Sequence, residues 1–495
     1  MHPNAYGLIH ALRRQSIIRV LWLPIVYNQR MNPTVKTRFA PSPTGLMHFG
    51  NVRTALFNYL YAKRFQGQLL LRIEDTDGKR STTDYTASML KDLRGLGLVW
   101  DEGPYYQSER QAVYEQSDLQ LQKEHRLYPC FCTEEQLALS RKVQMAAHQP
   151  PRYTGKCRAL SAEVVRAKQA LGEPFVLRFE VPKGVEINFK DLIKGDQHFG
   201  SDAIGDFIVR RADSSASFIF CNALDDALMG VTHALRGDDH LSNTPRQLLI
   251  LEALGLAKPA YGHFPTILGP DHSPLSKRNG SRDIQSLAAE GYGPSAIVNY
   301  LARLGHYDPD MTLLSLETLS AHFDLAHISH APAHYNEAQL LYWQKLSMQN
   351  TSIEDCWHVL EPLVGSIVPE AQRDAFVALV QPNLVLPKDA LPLAEALFSD
   401  KLSYSVEAQS VIREMGSTAF EQARALRVQD PNLKLGAWVD QLQIGSDFKK
   451  KQWYAALRAA LMGMTEGPSL QPVLDLLGPE KILQRLLEAG SYANI

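Results

Sequence analysis

The most informative part of the sequence is Thr37-Arg-Phe-Ala-Pro-Ser-Pro-Thr-Gly-Leu-Met-His-Phe-Gly-Asn51. Pro41, Pro43 and Gly45 predict a rigid turn, because proline presets φ and glycine accepts conformations that other residues avoid. After the turn, apolar residues recur at helical spacing: Val52, Ala55, Leu56, Tyr59 and Leu60. The segment therefore predicts a strand, a turn and then a helix that starts near Gly50.

The predicted helix start is a candidate phosphate site. A helix N-terminus presents backbone N–H groups and the positive end of the helix dipole, both of which suit a phosphate chain. His48 would donate to the phosphates, Gly50 would let a nucleotide approach the backbone, and Asn51 lies beside them. An ordinary strand–turn–helix with a surface histidine is the alternative, and His-x-Gly alone does not exclude it.

A second motif lies far along the chain, at Pro274-Leu-Ser-Lys-Arg-Asn-Gly280. Ser276 and Lys277 lie before a glycine, and the lysine offers a positive charge for a phosphate group that becomes more negative in a transition state. By itself the segment is also typical of an exposed loop.

Together and in this order, the two motifs resemble the class I aminoacyl-tRNA synthetases. The "HIGH" and "KMSKS" signatures of that family correspond to His48-Phe-Gly-Asn51 and Leu275-Ser-Lys-Arg278. Four further stretches resemble glutamyl-tRNA synthetases: Arg38–Gly45, Leu71–Asp77, Asp225–His233 and Arg236–His240. Glutaminyl enzymes instead read Pro-x-Pro-Asn-Gly at the first stretch. The resemblance extends from about Thr34 to the C-terminus and is strongest before Leu304.

The element pattern and the resemblance imply an α/β fold: a Rossmann-like parallel-sheet catalytic domain with a mixed α/β insertion, followed by an all-α anticodon-binding region. We expect the following divisions: an N-terminal extension over 1–30, catalytic halves over 31–118 and 216–255, an acceptor-end insertion over 119–215, a stem-contact region with the KMSKS-like loop over 256–335, and a helical anticodon-binding region over 336–495. The local patterns predict strands over 35–39, 68–73 and 175–181, helices over 51–65, 82–96, 107–127 and 244–254, and a β-rich run over 217–224.

The resemblance implies a glutamate pocket. Arg38 and Arg236 occupy the positions that bind the side-chain carboxylate, a task for which the planar fork of arginine is suited. Glu74 occupies the position that faces the α-ammonium group. The other pocket residues that the resemblance implies are Ala40, Ser42 and Phe218. An Arg38–Glu74 ion pair between neighbouring strands is the structural alternative.

The implied activity is that of a glutamate–tRNA ligase. ATP, bound with Mg²⁺, and glutamate would form glutamyl-adenylate, and the terminal ribose of tRNA(Glu) would then attack it. His48, Gly50, Ser276 and Lys277 are the candidate catalytic residues. Alternatives are a paralogue that glutamylates tRNA(Gln) or a modified tRNA base, a catalytically silent RNA-binding paralogue, and a small-molecule nucleotidyltransferase.

Three residues depart from the family pattern. Phe218 stands where tyrosine is common, Pro274 where lysine is frequent and Asn279 where histidine is usual. The lost hydroxyl predicts weaker rejection of glutamate isosteres. A stiffer loop with one positive charge fewer predicts slower activation.

Three thiols lie close together in the sequence at Cys130, Cys132 and Cys157. Structural zinc sites use four ligands of this kind. Some family members end this motif with Cys-x-His, but Ala159 stands at the last position here. A relative that glutamylates a modified tRNA base uses a tyrosine four residues before its last cysteine, which matches Tyr153. Two interpretations are equally favoured. Either these four residues bind zinc, or the three cysteines bind no metal.

Composition narrows the setting. Five cysteines in 495 residues argue against a disulfide framework and predict a reducing, cytoplasmic location. A net charge of −2 gives no global attraction for RNA, although a local basic face would suffice. No apolar run of about 18 residues predicts a membrane span, and we expect a monomer.

Two further segments have competing interpretations. Residues 1–30 contain Arg13, Arg14, Arg19 and Arg30 but no acidic residue. They resemble a transit peptide, but we favour Met31 as the initiator. The basic and aromatic cluster of Lys449, Lys450, Lys451, Trp453 and Arg458 fits RNA binding, but a solvated helix face is the favoured interpretation. For His233 and His240 we expect satisfied polar roles near the sheet edge, and for Asp225 and Asp226 roles in structure or RNA positioning.

Overall fold

The computed structural model of this chain describes residues 34–76, 82–276, 280 and 282–494. The strands are β1 (Lys36–Phe39), β2 (Gln68–Ile73), β3 (Glu102–Tyr106), β4 (Leu127–Cys130), β5 (Val176–Phe179), β6 (Glu186–Asp191), β7 (Gly195–Gly200), β8 (Phe207–Arg210), β9 (His233–Gly237), β10 (Ala260–Phe264), β11 (Ile267–Leu268) and β12 (Ala333–His334). The helices of the first part are α1 (Phe49–Arg64), α2 (Thr83–Gly95), α3 (Gln111–Lys123), α4 (Glu134–Ala146), α5 (Ala162–Ala170), α6 (Ser201–Ile204), α7 (Phe218–Leu228), α8 (Thr244–Ala253), α9 (Ile284–Glu290), α10 (Pro294–Arg303) and α11 (Leu316–His322). Those of the last part are α12 (Glu337–Asn350), α13 (Ile353–Val364), α14 (Arg373–Val380), α15 (Ala390–Phe398), α16 (Val406–Gln429), α17 (Leu435–Gln443), α18 (Lys450–Met462) and α19 (Leu470–Tyr492).

A parallel sheet forms the centre of the first part. β1, β2 and β3 pair in parallel, and so do β9 and β10. The backbone N–H of Thr232 donates to the Lys36 carbonyl at 2.9 Å and joins β9 to β1. The strand order is therefore β3-β2-β1-β9-β10, with a reversal between β1 and β9. In open α/β sheets, ligands bind at the carboxyl ends of the strands beside such a reversal.

The predicted strand–helix–strand unit is confirmed. β1 and β2 cover the predicted strands, and α1 connects them with its buried face on the sheet. The predicted helices over 82–96 and 244–254 are also present as α2 and α8.

The prediction of a β-rich run over 217–224 is wrong. Residues 218–228 form helix α7, which ends before Gly230 at φ 71°. The residues from Phe220 to Asp226 are all buried, so the helix is enclosed on several sides. A short apolar run that is buried all round shows no periodicity, and this explains the error.

The helix predicted over 107–127 extends too far. α3 ends at Lys123, and Leu127 begins β4, which pairs antiparallel with β5. β4, β5 and β8 form a separate antiparallel sheet within the insertion. The hairpin of β6 and β7 instead adds to the central strands, because β6 pairs with β10 at Asp191 and Tyr261.

The last part of the chain is a helical domain with a large apolar core. Trp453 lies in that core with 1% of its surface exposed, so it offers no ring for stacking with RNA. Lys449, Lys450 and Lys451 are exposed, and Lys450 pairs with Asp440 at 2.5 Å. The three lysines thus form the solvated helix face that the sequence favoured, whereas Trp453 does not belong to it. Among the described residues, no helix is both long and apolar enough to cross a membrane.

Candidate active site

A cavity of about 580 Å³ lies at the carboxyl ends of β1, β9 and β10. It is lined by every residue that the sequence predicted for glutamate and by three of those predicted for ATP: Arg38, Ala40, Ser42, His48, Gly50, Asn51, Glu74, Phe218 and Arg236. Pro274 and Leu275 line the same cavity. The two distant sequence motifs therefore meet at one site. Ser276 is exposed next to Leu275, while Lys277 and Asn279 lie outside the described residues.

His48 caps the N-terminus of α1. Its Nδ1 accepts a hydrogen bond from the backbone N–H of Gly50 at 3.1 Å, so the neutral ring carries its proton on Nε2. Asn51 completes the cap, because its Oδ1 accepts from the His48 N–H at 3.5 Å. A Cβ at position 50 would lie 3.0 Å from His48 Cε1. Glycine at this position therefore makes room for the imidazole.

Arg38 and Glu74 do not form the ion pair considered as the alternative. Arg38 Nε donates to Asp226 at 3.1 Å, and its Nη1 donates to the Leu235 carbonyl at 2.9 Å. Glu74 Oε1 instead accepts from Arg72 at 3.2 Å and from Asn222 at 2.6 Å. Its Oε2 is buried and has no hydrogen-bond partner among the described residues.

Burial raises the pKa of Glu74, and Arg72 opposes that shift. Arg72 also lies 2.8 Å from Asp226 and 3.8 Å from Asp225. It therefore forms ion pairs with three carboxylates, of which Glu74 is the third. Burial would raise the pKa of Asp226, but Arg38 and Arg72 lower it overall. The buried charges beneath the cavity therefore hold one another in place.

Arg236 differs from these arginines because its hydrogen-bond partners are neutral. It donates to Asn222 at 3.3 Å, Thr244 at 2.9 Å, Gln247 at 2.7 Å and His263 at 3.1 Å. None of the described carboxylates lies within ion-pairing distance of it. Burial lowers the pKa of Arg236 to about 10, so the group is charged at neutral pH. A buried cation with neutral neighbours is suited to an anionic ligand.

Four residues of this site were not predicted from the sequence: Asn222, Thr244, Gln247 and His263. Only Asn222 has a sequence signal, because it lies one helical turn after Phe218 on α7. The other three reach Arg236 from α8 and β10.

Phe218 and His240 are neighbours in the lining of the cavity. Their ring centroids lie 5.2 Å apart, and both rings line the cavity. Burial lowers the pKa of His240 to about 4, so the imidazole is neutral at pH 7. His240 thus lines the cavity, a position that was not predicted from the sequence. His233 lies outside the lining and bonds to Thr232 at 2.8 Å.

The cysteine cluster forms a second candidate site. The sulfur atoms of Cys130, Cys132 and Cys157 all lie within 4.8 Å of one another. The Tyr153 hydroxyl lies 3.3 Å from Cys130 Sγ and 3.7 Å from Cys132 Sγ. Burial raises the pKa of Cys132 to about 11, whereas the Tyr153 hydroxyl and Arg178 overcome burial and lower the pKa of Cys130. Cys221 and Cys356 are fully buried elsewhere.

Comparison with known proteins decides the family. The model of the class I tRNA synthetase catalytic domain for the E and Q enzymes matches residues 34–342, and the model of an anticodon binding domain matches residues 353–489. The chain belongs to the glutamyl-tRNA synthetase family. It is 48% identical to glutamate–tRNA ligase 2 of Nitrosococcus oceani, over 92% of this chain and 98% of the relative. It is 46% identical to glutamate–tRNA ligase 1 of Halorhodospira halophila, over 93% and 98%.

Solved structures give the same family. A glutamate tRNA ligase from Elizabethkingia meningosepticum, crystallised with its amino acid, superposes with a TM-score of 0.83 at 25% identity. The match covers 92% of this synthetase and 99% of that chain. The predicted fold class is thereby confirmed, both for the parallel-sheet catalytic domain and for the helical anticodon-binding domain.

Proposed function

We propose that this chain is a glutamate–tRNA ligase that acts in the cytoplasm as a monomer, with the domain divisions expected from its sequence. One observation supports the choice of substrate. A single cavity contains two buried groups that lack a complementary partner among the residues that the structure describes: Arg236, which has no carboxylate partner, and Oε2 of Glu74, which has no hydrogen-bond donor. An acidic amino acid carries both complementary charges.

Glutamate binds with its side-chain carboxylate on Arg236 and Arg38. Among the described residues, one Nη1 hydrogen of Arg236 has no acceptor. Arg38 uses only Nε and Nη1 in contacts with those residues, so its Nη2 group is available to the substrate. The α-ammonium group lies on Glu74 Oε2. Ala40, Ser42 and Phe218 close the walls, and the α-carboxylate points toward the start of α1.

ATP binds with its phosphates on the first turn of α1, where His48 Nε2–H and the Asn51 side-chain amide donate to them and Gly50 lets them approach the backbone. Mg²⁺ enters with the triphosphate. An oxygen of the glutamate α-carboxylate attacks the α-phosphorus, and pyrophosphate leaves as glutamyl-adenylate forms. Ser276 and Lys277, by their match to the family motif, stabilise the charge that develops on the departing pyrophosphate.

In the second step a ribose hydroxyl at the 3′ end of tRNA(Glu) attacks the acyl carbon, and AMP leaves. The second candidate function is glutamylation of tRNA(Gln) in addition to tRNA(Glu). The segment around 381–387 supports it, because it lacks the basic residues that family members often carry there.

Pyrophosphate exchange, run with and without each tRNA, tests this proposal. We expect exchange that requires glutamate and tRNA(Glu), and Lys277→Ala should reduce kcat far more than it weakens ATP binding. Charging of both tRNA transcripts separates strict from relaxed tRNA choice. Absence of glutamate-dependent exchange with every tRNA would leave the silent paralogue as the better reading.

We also propose a structural Zn²⁺ held by Cys130, Cys132, Tyr153 and Cys157. Three thiols and a phenol that converge within a few ångströms form a donor set suited to this ion. A cation at this position would favour the thiolate and phenolate forms. Elemental analysis of the purified protein should find about one zinc per chain, and Cys157→Ser should lose it. A zinc-free native protein with a normal melting temperature would contradict the proposal.

A further inference from the structure

Behind Arg236 lies a buried acid–imidazole pair that the proposed mechanism does not use. His263 on β10 and Asp191 at the end of β6 are 0% and 1% exposed. His263 Nδ1 and Asp191 Oδ2 lie 2.5 Å apart. On its other side, His263 Nε2 lies 3.1 Å from Arg236 Nε.

The hydrogen-bond donors settle the state of the imidazole. Arg236 Nε always carries a hydrogen, so His263 Nε2 must accept it and the proton of the neutral ring must lie on Nδ1. Asp191 accepts that proton and thereby selects this tautomer. An imidazolium, or the other tautomer, would set two N–H groups against each other.

Other contacts hold the two residues rigidly. Asp191 Oδ1 accepts from the backbone N–H groups of Ile193 at 2.9 Å and Lys194 at 2.8 Å, so its carboxylate cannot turn away. Tyr261 stacks on His263 with ring centroids 6.3 Å apart and planes 9° apart. Thr244 Oγ1 lies 3.2 Å from Nε2 and accepts from Arg236 Nη2, which closes a ring of hydrogen bonds.

We infer that Asp191 and His263 are positioning residues for substrate glutamate, which fix the plane of the Arg236 guanidinium through the tautomer that Asp191 imposes on His263. The inference rests on the proposed role of Arg236 in binding the side-chain carboxylate. A bidentate carboxylate demands a guanidinium in one orientation. Asn222, Thr244 and Gln247 hold its Nη1 and Nη2 groups, and His263 is the described partner that holds Nε. The hairpin of β6 and β7 thus contributes to the amino acid site although none of its residues lines the cavity.

Two substitutions at one position separate this role from simple packing. In His263→Gln the side-chain amide oxygen reaches about where Nε2 lies and can still accept from Arg236. In His263→Asn the amide instead reaches about where Nδ1 lies, so the contact with Asp191 is kept and the one with Arg236 is lost. We expect His263→Asn to raise the KM for glutamate by about tenfold to a hundredfold, the range for losing a hydrogen bond to a charged group. His263→Gln should recover most of that loss, and the KM for ATP should change little in either variant.

Asp191→Asn supplies a second measurement. Its amide can donate to His263 Nδ1 and force the wrong tautomer, so we expect the glutamate KM to rise as in His263→Asn. The same change in the His263→Gln background should add almost nothing, because glutamine has no tautomer to select.

All variants are assayed as full-length chains by pyrophosphate exchange with tRNA(Glu), beside their melting temperatures. Equal glutamate defects in His263→Asn and His263→Gln, or an Asp191→Asn defect of the same size in both backgrounds, would overturn the inference. If His263→Asn or Asp191→Asn does not fold, the other comparison remains. If His263→Gln does not fold, a wild-type glutamate KM in Asp191→Asn would by itself overturn the inference. A wild-type chain without glutamate-dependent exchange would instead count against the proposed function.

Discussion

The catalytic part and the C-terminal helical part have opposite kinds of core. Beneath the cavity, charged side chains are buried together: Arg38, Arg72, Glu74, Asp191, Asp225, Asp226 and Arg236. Among the described residues after 350, the buried charged side chains are Arg427 and Arg485, and both donate to backbone carbonyls. Burying charge is costly unless it is compensated. The difference indicates that the first core is arranged around a charged ligand, whereas the second one maintains a shape.

The largest expected effect is on the apolar core. Trp453→Ala removes a side chain that is 1% exposed, and we expect the free energy of unfolding to fall by about 3–5 kcal/mol. Urea unfolding measures the loss. The neighbouring Tyr454 is 38% exposed, so Tyr454→Ala should cost far less. Equal losses would show that burial of Trp453 in the apolar core does not stabilise the helical domain.

The next effect concerns the charged core. Arg236→Gln removes the cation while leaving a polar side chain among Asn222, Thr244 and Gln247. We expect kcat/KM for glutamate to fall by roughly thirtyfold to several thousandfold. This corresponds to a loss of about 2–5 kcal/mol in stabilisation of the transition state. Arg427→Gln is the matched control in the helical core, and it should leave the KM for glutamate unchanged. A similar defect in both variants would remove the functional contrast between the two cores.

A smaller effect is expected at the start of α1. Gly50→Ala places a Cβ 3.0 Å from His48 Cε1 and displaces the capping imidazole. We expect a loss of about tenfold in adenylate formation, the size of one disturbed hydrogen bond. Gly95→Ala meets no atom within 4 Å and should leave the exchange rate unchanged. Wild-type exchange by Gly50→Ala would show that the imidazole need not cap the helix.

The smallest expected effect concerns Phe218, at which this chain differs from the common family pattern. Phe218→Tyr restores the hydroxyl that is common at this position in the family, next to His240 in the cavity lining. We expect a severalfold gain in the preference for glutamate over its isosteres, because polar contacts provide such discrimination. Competition between glutamate and glutamine in the exchange assay measures it. An unchanged ratio would mean that His240 or another group already supplies the contact.

Much of the fold and the cavity lining could be predicted from the sequence. The Pro41 to Gly45 turn and the periodicity of α1 are local signals, and the motifs around His48 and Arg236 are long enough to identify a family. Helix α7 was mistaken for a strand because its apolar run is buried on several faces. The sequence grouped Trp453 with three lysines in one basic and aromatic cluster, although the tryptophan is buried. Residues that are adjacent in sequence can lie on opposite faces of a helix, and the sequence alone did not show which face is buried.

By itself, the sequence determined nine of the residues that line the cavity, since those residues lie inside motifs that resemble a known family. The tertiary structure alone decided their partners. Arg38 pairs with Asp226, 188 positions away, and His263 pairs with Asp191 across 72 positions. Hydrogen-bond partners at such separations are brought together by the fold, because the strands and the helix that carry them become neighbours only when the chain has folded.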